Sequence, residues 1–347
     1  MSAAITMQAA LNKVIGGVHM SREEAASIMS LIMSGEATGA QIGAMMTALR
    51  MKGETKEEIT GFAETMRRHS NHVRIEHDGL LDTCGTGGSG IHKFNISTAS
   101  SIIAAAAGIR VAKHGNRAMS GKTGSADVLE ALGVNINLTP EQAAACLREI
   151  DICFMFAQLY HPSMKYAAAP RKELGIRTIF NMLGPLTNPA GADRQLLGLY
   201  DRNRTATIAE VLGELGLRRA MVVSSHDGLD EISISAATQI SELRNGVVTT
   251  YDLQPEDLGL SRYSITEVQG GEPEVNAALI KAIFLGDQHG AYRDIVLANA
   301  GACIYLGGVT ASLKEGVAVA AEMIDSGKAY QKLNQLIQMT GEFAHVS

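Results

Sequence analysis

Hydrophobic positions in the first seventy or so residues recur at helical spacing. Ala25, Ile28, Met29 and Ile32 mark one apolar stripe, Ile42, Met45, Met46 and Leu49 a second, and Ile59, Phe62, Ala63 and Met66 a third. A capping box precedes each stripe: Ser21 with Glu24, Thr38 with Gln41, Thr55 with Glu58. In such a box the hydroxyl satisfies a backbone N–H, and the residue three positions on reaches back to the cap. Gly35 follows the first stripe as a stop. The pattern predicts three amphipathic helices with short connections, a small bundle. Its methionines read as core filler.

Near Leu80 the period changes. Short apolar runs alternate with helical patterns, which predicts βαβ units around a largely parallel sheet. Strands are expected at 80–84, 109–113, 152–157, 196–200 and 220–223, with helices at 97–107, 125–132 and 204–215. Thr139, Pro140 and Gln142 combine an N-cap, a first-turn proline and a box partner, so another helix starts there. Asn245-Gly246 between 238–243 and 247–253 signals a hairpin. Residues 274–344 read mainly as helices that cover the sheet. Residues 160–190 interrupt the alternation with a helix holding Pro170 and Arg171, then a Pro-, Gly- and Asn-rich loop from Asn181 to Pro189. The expected fold is α/β. A small helical domain takes residues 1–76 with roughly 160–192. A larger α/β domain takes 77–159 and 193–347, with a central, mostly parallel sheet. Chain crossings near 76–82 and 160–195 would act as hinges.

At 347 residues and 46% hydrophobic, the chain can bury a substantial core. A net charge of −6 argues against general nucleic-acid binding. The four cysteines form no CxxC pair and read as reduced thiols of a cytoplasmic protein. No basic segment followed by an apolar one opens the chain, and no run approaches the ~20 apolar residues of a membrane span. A membrane partner is therefore not expected.

The candidate chemistry gathers between Leu81 and Leu132. Gly85-Thr86-Gly87-Gly88 follows a strand, where glycines let backbone N–H groups face an anion. Asn95-Ile96-Ser97-Thr98 places hydroxyls and amides at a helix start, which favours phosphate. Lys113-His114-Gly115-Asn116-Arg117 brings cations to a strand's C-terminal end, where open α/β sheets bind ligands. Ser120 to Ser125 repeats a hydroxyl- and glycine-rich turn before a helix. Together these read as a pocket for a phosphorylated, anionic substrate, although each alone is compatible with an ordinary turn or a solvated basic loop. Asp230-Glu231, in a loop after a strand, suits Mg²⁺ shared with substrate phosphates, or is a solvated acidic pair. Arg171 could bind a carboxylate bidentately across the cleft, or lie on a helix surface. No zinc-ligand spacing and no nucleophile elbow occurs.

These motifs, with 124–130, 171–178, 181–188 and Asp227-Gly228-Leu229-Asp230-Glu231, resemble the anthranilate phosphoribosyltransferases of tryptophan biosynthesis over essentially the whole chain. The phosphate motifs are shared with pyrimidine nucleoside phosphorylases, whereas Arg171 to Asn188 is specific to the anthranilate enzymes. The resemblance implies a homodimer built on the helices. It implies 5-phosphoribosyl 1-diphosphate binding by Gly85, Gly88, Ser89, Lys93, Asn95, Ile96, Ser97, Thr98, Lys113, His114, Gly115, Asn116, Arg117, Ala118, Met119, Ser120, Gly121 and Ser125. Anthranilate would meet Gly85, Asn116 and Arg171, with His114 nearby. His114, Asn116 and Arg171 would position the reactants without a covalent nucleophile. Two Mg²⁺ ions would travel with the diphosphate, held by Ser97, Asp230 and Glu231. Many members carry Asp where this chain has Ser89 and a small polar residue where it has Lys93, so a carboxylate is lost and a cation gained. A pyrimidine nucleoside phosphorylase and a non-catalytic nucleic-acid-binding relative are the rival readings. The Arg171 to Asn188 stretch and the Asp230-Glu231 pair speak against the first, and the net charge against the second.

Overall fold

The protein is described by a computed structural model over residues 5–76, 78–87, 93–118 and 122–344. Four helices open it: α1 (Met7–Ile15), α2 (Arg22–Met33), α3 (Gly39–Lys52) and α4 (Lys56–Arg68). The three predicted boxes cap α2, α3 and α4. The additional helix, α1, is capped by Thr6, whose Oγ1 accepts from the Ala9 N–H at 3.2 Å. It buries only Met7, Ala10 and Val14, too sparse a stripe to register as a period.

The alternating region then runs β1 (Leu81–Gly85), α5 (Ile96–Ala106), β2 (Val111–Gly115), α6 (Ser125–Leu132), α7 (Pro140–Glu149) and β3 (Ile152–Phe156). The interruption holds α8 (Ala157–Tyr160), α9 (Lys165–Leu174) and α10 (Ile179–Leu183), followed by a tight helical turn over Gly184–Leu186. Alternation resumes with β4 (Arg194–Gly198), α11 (Thr205–Glu214), β5 (Arg219–Ser225), β6 (Thr238–Arg244) and β7 (Val247–Leu253). Helices α12 (Pro273–Leu285), α13 (Ala291–Gly307), α14 (Leu313–Asp325) and α15 (Lys328–Ala344) complete the fold.

The seven strands form one sheet in the order β3-β2-β1-β4-β5-β6-β7. The first five are mutually parallel, and the β6–β7 hairpin adds antiparallel strands at one edge. Asn245 and Gly246 both take positive φ, 53° and 75°, as a two-residue hairpin turn requires. Helices α5, α6 and α12 to α15 supply most of the core on one sheet face. On the other, Leu197, Leu199, Ala220 and Val222 share a core with α11 and with the apolar stripes of α2, α3 and α4. Ala167 of α9 and Ile179, Phe180, Met182 and Leu183 of α10 join that second core.

Two expectations shift. Residues 181–183 are helical rather than loop, because Asn181 Oδ1 accepts from the Thr178 N–H at 2.9 Å and closes the first turn of α10. Strands β2 and β4 are displaced by two residues from the apolar runs. Pairing sets their limits: Gly115 still pairs with Phe156, and Arg194 already pairs with Leu81 and Arg219. Among the described residues, no helix is long and apolar enough to cross a membrane.

Candidate active site at the C-terminal end of the sheet

Gly85 and Gly198 end the paired strands β1 and β4 side by side. The loop after β5 presses onto both. A Cβ at Gly198 would overlap the Asp230 carbonyl, and one at Gly85 would stand 3.0 Å from Asp230 Oδ2. Glycine is therefore required where strand meets loop, because the acidic residue has its backbone against one strand end and its carboxylate against the other. Three side chains shape the loop. Asp227 Oδ1 accepts from the Leu229 N–H at 3.1 Å, and its Oδ2 accepts from Ser233 Oγ at 2.7 Å. Asn299 of α13 clamps Ile232 from below. Its Oδ1 accepts from the Ile232 N–H at 3.0 Å, and its Nδ2 donates to the Ile232 carbonyl at 2.9 Å.

Asp230 and Glu231 are thus held side by side and buried. Lys93 closes on them. Its Nζ lies 2.9 Å from Asp230 Oδ1 and 2.8 Å from Glu231 Oε1, and donates to the Asp230 carbonyl at 3.2 Å. Burial opposes charge on Lys93, but the two carboxylates outweigh it and raise its pKa. Burial pushes the Glu231 carboxyl up, and Lys93 counters part of that rise.

Lys113 points from β2 into the base of the same region. Its Nζ donates to the Thr83 carbonyl at 2.5 Å and to Ser97 Oγ, in the first turn of α5, at 3.2 Å. Burial lowers its pKa, against the pull of Asp82. Asn95 leads into α5 and ties it outward. Its Oδ1 accepts from Asn276 Nδ2 at 3.0 Å, and its Nδ2 donates to the Thr123 carbonyl at 3.3 Å. Ile96 and Thr98 are buried in the helix core.

The second turn folds against the end of β2. A Cβ at Gly124 would overlap the Ala118 N–H and the Asn116 carbonyl, and one at Gly115 would meet the Phe154 ring at 2.8 Å and Ser125 Cβ at 3.1 Å. Asp127 Oδ2 fastens the turn by accepting from the Ala118 and Gly124 N–H groups at 3.0 and 2.8 Å. Asn116 Oδ1 accepts from the Arg117 N–H at 2.8 Å. The Arg117 guanidinium pairs with Asp127 at 2.9 Å and Glu130 at 2.5 Å and lies over the Phe156 ring, so α6 already engages its charge. Gly88, Ser89, Met119, Ser120 and Gly121 lie outside the described residues.

Arg171, on α9, stacks its guanidinium 5.4 Å from the centre of the Phe180 ring. Burial lowers its pKa, and among the described residues no carboxylate pairs with it. His114 is buried with its ring centre 5.0 Å from that of His161. Burial and the His161 ring hold its pKa well below the usual value, and its Nε2 has no hydrogen-bond partner among the described residues. Burial likewise lowers His161 to about 4.

The structure brings Gly85, Lys93, Asp230 and Glu231 into contact. It also joins Ser97 to Lys113 and gathers Gly115, Asn116, Ala118 and Ser125 around Gly124. Lys113 and Glu231 influence each other's ionisation, which links the first two groups. Among the described residues no hydrogen bond or ion pair joins Arg171 to them; its Phe180 partner belongs to α10, and His114 meets the Gly184 backbone just beyond that helix. Among the described residues no three His, Cys, Asp or Glu side chains converge as a metal cage. Asp230, Glu231 and Ser97 nevertheless offer hard oxygen donors of the kind Mg²⁺ takes beside substrate phosphates, with Lys93 held on one oxygen of each acid.

Residues 77–330 match the glycosyl transferase family a/b domain, and residues 8–70 match the same family's helical bundle domain. The anthranilate phosphoribosyltransferase of Brevibacillus brevis is 53% identical over 338 residues, covering 97% of this chain and 99% of the relative. That of Acetivibrio thermocellus is 51% identical over 337 residues, covering 97% of each. The chain belongs to the anthranilate phosphoribosyltransferase family. The Thermus thermophilus anthranilate phosphoribosyltransferase superimposes with a TM-score of 0.91 at 42% identity, covering 95% of this chain and 99% of that one. The Saccharomyces cerevisiae anthranilate phosphoribosyltransferase in complex with PRPP and Mg gives 0.87 at 26%, covering 97% and 98%. The fold expected for an anthranilate phosphoribosyltransferase, α/β with an N-terminal helical bundle, is the one observed.

Sequence reasoning passed over Asn299, Asn276 and Asp82. Asn299 carried a signal: it is a lone amide in the apolar run Ile295 to Leu306. A buried amide in such a run needs partners, here the Ile232 backbone.

Proposed function

We propose that the chain transfers the 5-phosphoribosyl group of 5-phosphoribosyl 1-diphosphate (PRPP) to the amine of anthranilate, giving N-(5-phosphoribosyl)anthranilate and diphosphate in tryptophan biosynthesis. The observation that carries this reading is the sheet end where the glycines of β1 and β4 seat Asp230 against Lys93, in a chain matching anthranilate phosphoribosyltransferases along its length. The amine nitrogen forms a bond to the ribose C1′ as the C1′–oxygen bond to diphosphate breaks, through an oxocarbenium-like state. The nitrogen then loses a proton to water, so no dedicated base and no covalent nucleophile is needed.

The α5 N-terminus with Ser97, the 115–118 turn and Ser125 line the diphosphate and ribose phosphate. Mg²⁺ bound with the diphosphate would offset the charge that develops on the leaving group. Its proposed protein ligand is Ser97, and Asp230 and Glu231 are the proposed ligands of a second ion. A second ion at the acidic pair would require Lys93 to leave. Arg171, desolvated and without an acid partner among the described residues, takes the anthranilate carboxylate, with Asn116 and His114 positioning the ring side. Holding both reactants in one cleft supplies proximity, and closure about 76–82 and 160–195 excludes water from the activated sugar.

We assign residues 1–76 with 160–192 to the acceptor side and to a homodimer interface, and the remainder to the donor side. Four free cysteines accord with a cytoplasmic location. Loss of anthranilate fluorescence with purified protein, Mg²⁺ and PRPP tests the reaction. Release of free base from thymidine or uridine with phosphate would instead establish phosphorolysis, and tight, salt-sensitive DNA binding the nucleic-acid reading.

A further inference from the structure

Lys93 stands where a metal ion would meet the acidic pair. Its ammonium lies 2.9 and 2.8 Å from one oxygen each of Asp230 and Glu231, an approach that leaves no room for a cation between them. The lysine is also anchored. Its backbone forms a bridge with Gln269, and a Cβ at Gly270 would stand 2.6 Å from its carbonyl oxygen. Next to it, Phe94 is buried edge-on against Tyr292, with ring centres 5.4 Å apart, and Tyr292 donates to the Gln269 carbonyl at 2.9 Å. The acids are fixed from the other side by Gly198 and Asn299. Neither partner of the ion pair therefore reaches the other by chance of a long surface side chain. Two adjacent carboxylates buried at this depth need a counter-charge, and a built-in ammonium supplies one whether or not substrate is present.

We propose that Lys93 is a resident counter-cation for Asp230 and Glu231, so that this chain binds its diphosphate substrate with one Mg²⁺ ion rather than two. A Mg²⁺ ion bonding either oxygen at about 2.1 Å would lie within a few ångströms of the ammonium, and the two like charges would repel strongly at a buried site. The ion that remains is the one the substrate's own phosphates carry. The tethered charge is positioned before binding and cannot dissociate, whereas a second ion would have to be recruited from solution. This inference rests on the phosphoribosyl-transfer reading, because it concerns the ions that accompany PRPP.

Mn²⁺ binding followed by electron paramagnetic resonance tests it without turnover. Wild-type protein with saturating PRPP and no anthranilate is expected to hold one Mn²⁺ per chain. Lys93→Thr and Lys93→Met are expected to hold two, and to bind Mn²⁺ without PRPP at least about tenfold more tightly than wild type, since the competing charge is gone. Lys93→Arg, which keeps the charge, is expected to stay at one. Thermal melts with added Mg²⁺ should show stabilisation of Lys93→Thr in the absence of substrate and none for wild type. Two ions on wild type overturn the inference while leaving the transfer reading intact, and so does a folded Lys93→Thr that gains none. Failure of wild type to bind PRPP at any metal concentration defeats both. The wild-type count decides even where a variant does not fold.

Discussion

A single guanidinium carries most of the acceptor argument. Arg171 is desolvated, rests on Phe180 and has no acid partner among the described residues, an arrangement that costs stability unless a ligand carboxylate completes it. Arg171→Ala should raise the KM for anthranilate by roughly 10- to 100-fold, the worth of a charge-assisted pair, with little change in the KM for PRPP. Steady-state kinetics with each substrate varied in turn would decide, and equal effects on both would remove Arg171 from the acceptor site. The buried histidines make a second prediction, about pH. His161 faces the His114 ring, the Thr187 backbone and the His72 side chain, and burial sets its pKa near 4 against an ordinary 6.5. The unfolded chain therefore takes up a proton between these values and the folded chain does not, so stability falls as pH drops from about 6.5 to 4. The full loss is ~3 kcal/mol. His161→Phe should flatten the pH dependence of the melting temperature between pH 7 and 5, and an unchanged slope would refute the assignment. At this scale the sequence showed which residue types could do chemistry, but not their pairing. Lys93 and Arg117 both read as phosphate-facing cations. The fold instead hands one to Asp230 and Glu231 and the other to Asp127 and Glu130, partners up to 138 residues away.

Elements were legible where the signal was local. Capping boxes depend on four consecutive residues, and they marked the starts of α2, α3, α4 and α7. Strand ends were not, because a neighbouring strand decides them: β4 begins at the charged Arg194, whose register with Leu81 outweighs its polarity. The same limit hid α13 as a site element. Its Asn299 is the only side chain described as bonding both the N–H and the carbonyl of Ile232, one residue beyond the acidic pair. Asn299→Leu preserves volume but leaves two buried backbone groups unsatisfied, at about 1–3 kcal/mol each. We expect it to lower unfolding free energy by ~2–4 kcal/mol in urea melts and to loosen the loop, so that catalysis is lost beyond what stability explains. Wild-type stability in this variant would show that the clamp is unimportant. Gly198→Ala should disturb the same loop from the other side, since its Cβ has nowhere to go but into the Asp230 backbone.

At the scale of the whole molecule, α9 (Lys165–Leu174) walls a groove of the helical bundle and carries Arg171. Ile15, Val18 and Met51 are exposed at 69%, 53% and 84%, large apolar side chains left in water at one end of the bundle. Ile15 and Met51 border a groove between α1 and α3, lined also by Ala40, Gly43 and Ala44, with Pro170, Glu173 and Leu174 of α9 along its wall. Arg171 lies on that same helix, one residue after Pro170. A second copy seated in the groove would bury the exposed side chains and restrain α9, so association and acceptor binding should fail together. Ala44→Glu places a charge in the groove at a helix surface position, where it can be solvated in the single chain. Wild type is expected to sediment at twice the mass of one chain and Ala44→Glu at the mass of one. The separated chain should keep its melting transition and its affinity for PRPP, while its KM for anthranilate rises. A wild-type protein that sediments as one chain would refute the dimer. A monomeric Ala44→Glu with normal anthranilate kinetics would keep the dimer but cut the link through α9, leaving Arg171 to its stacking on Phe180.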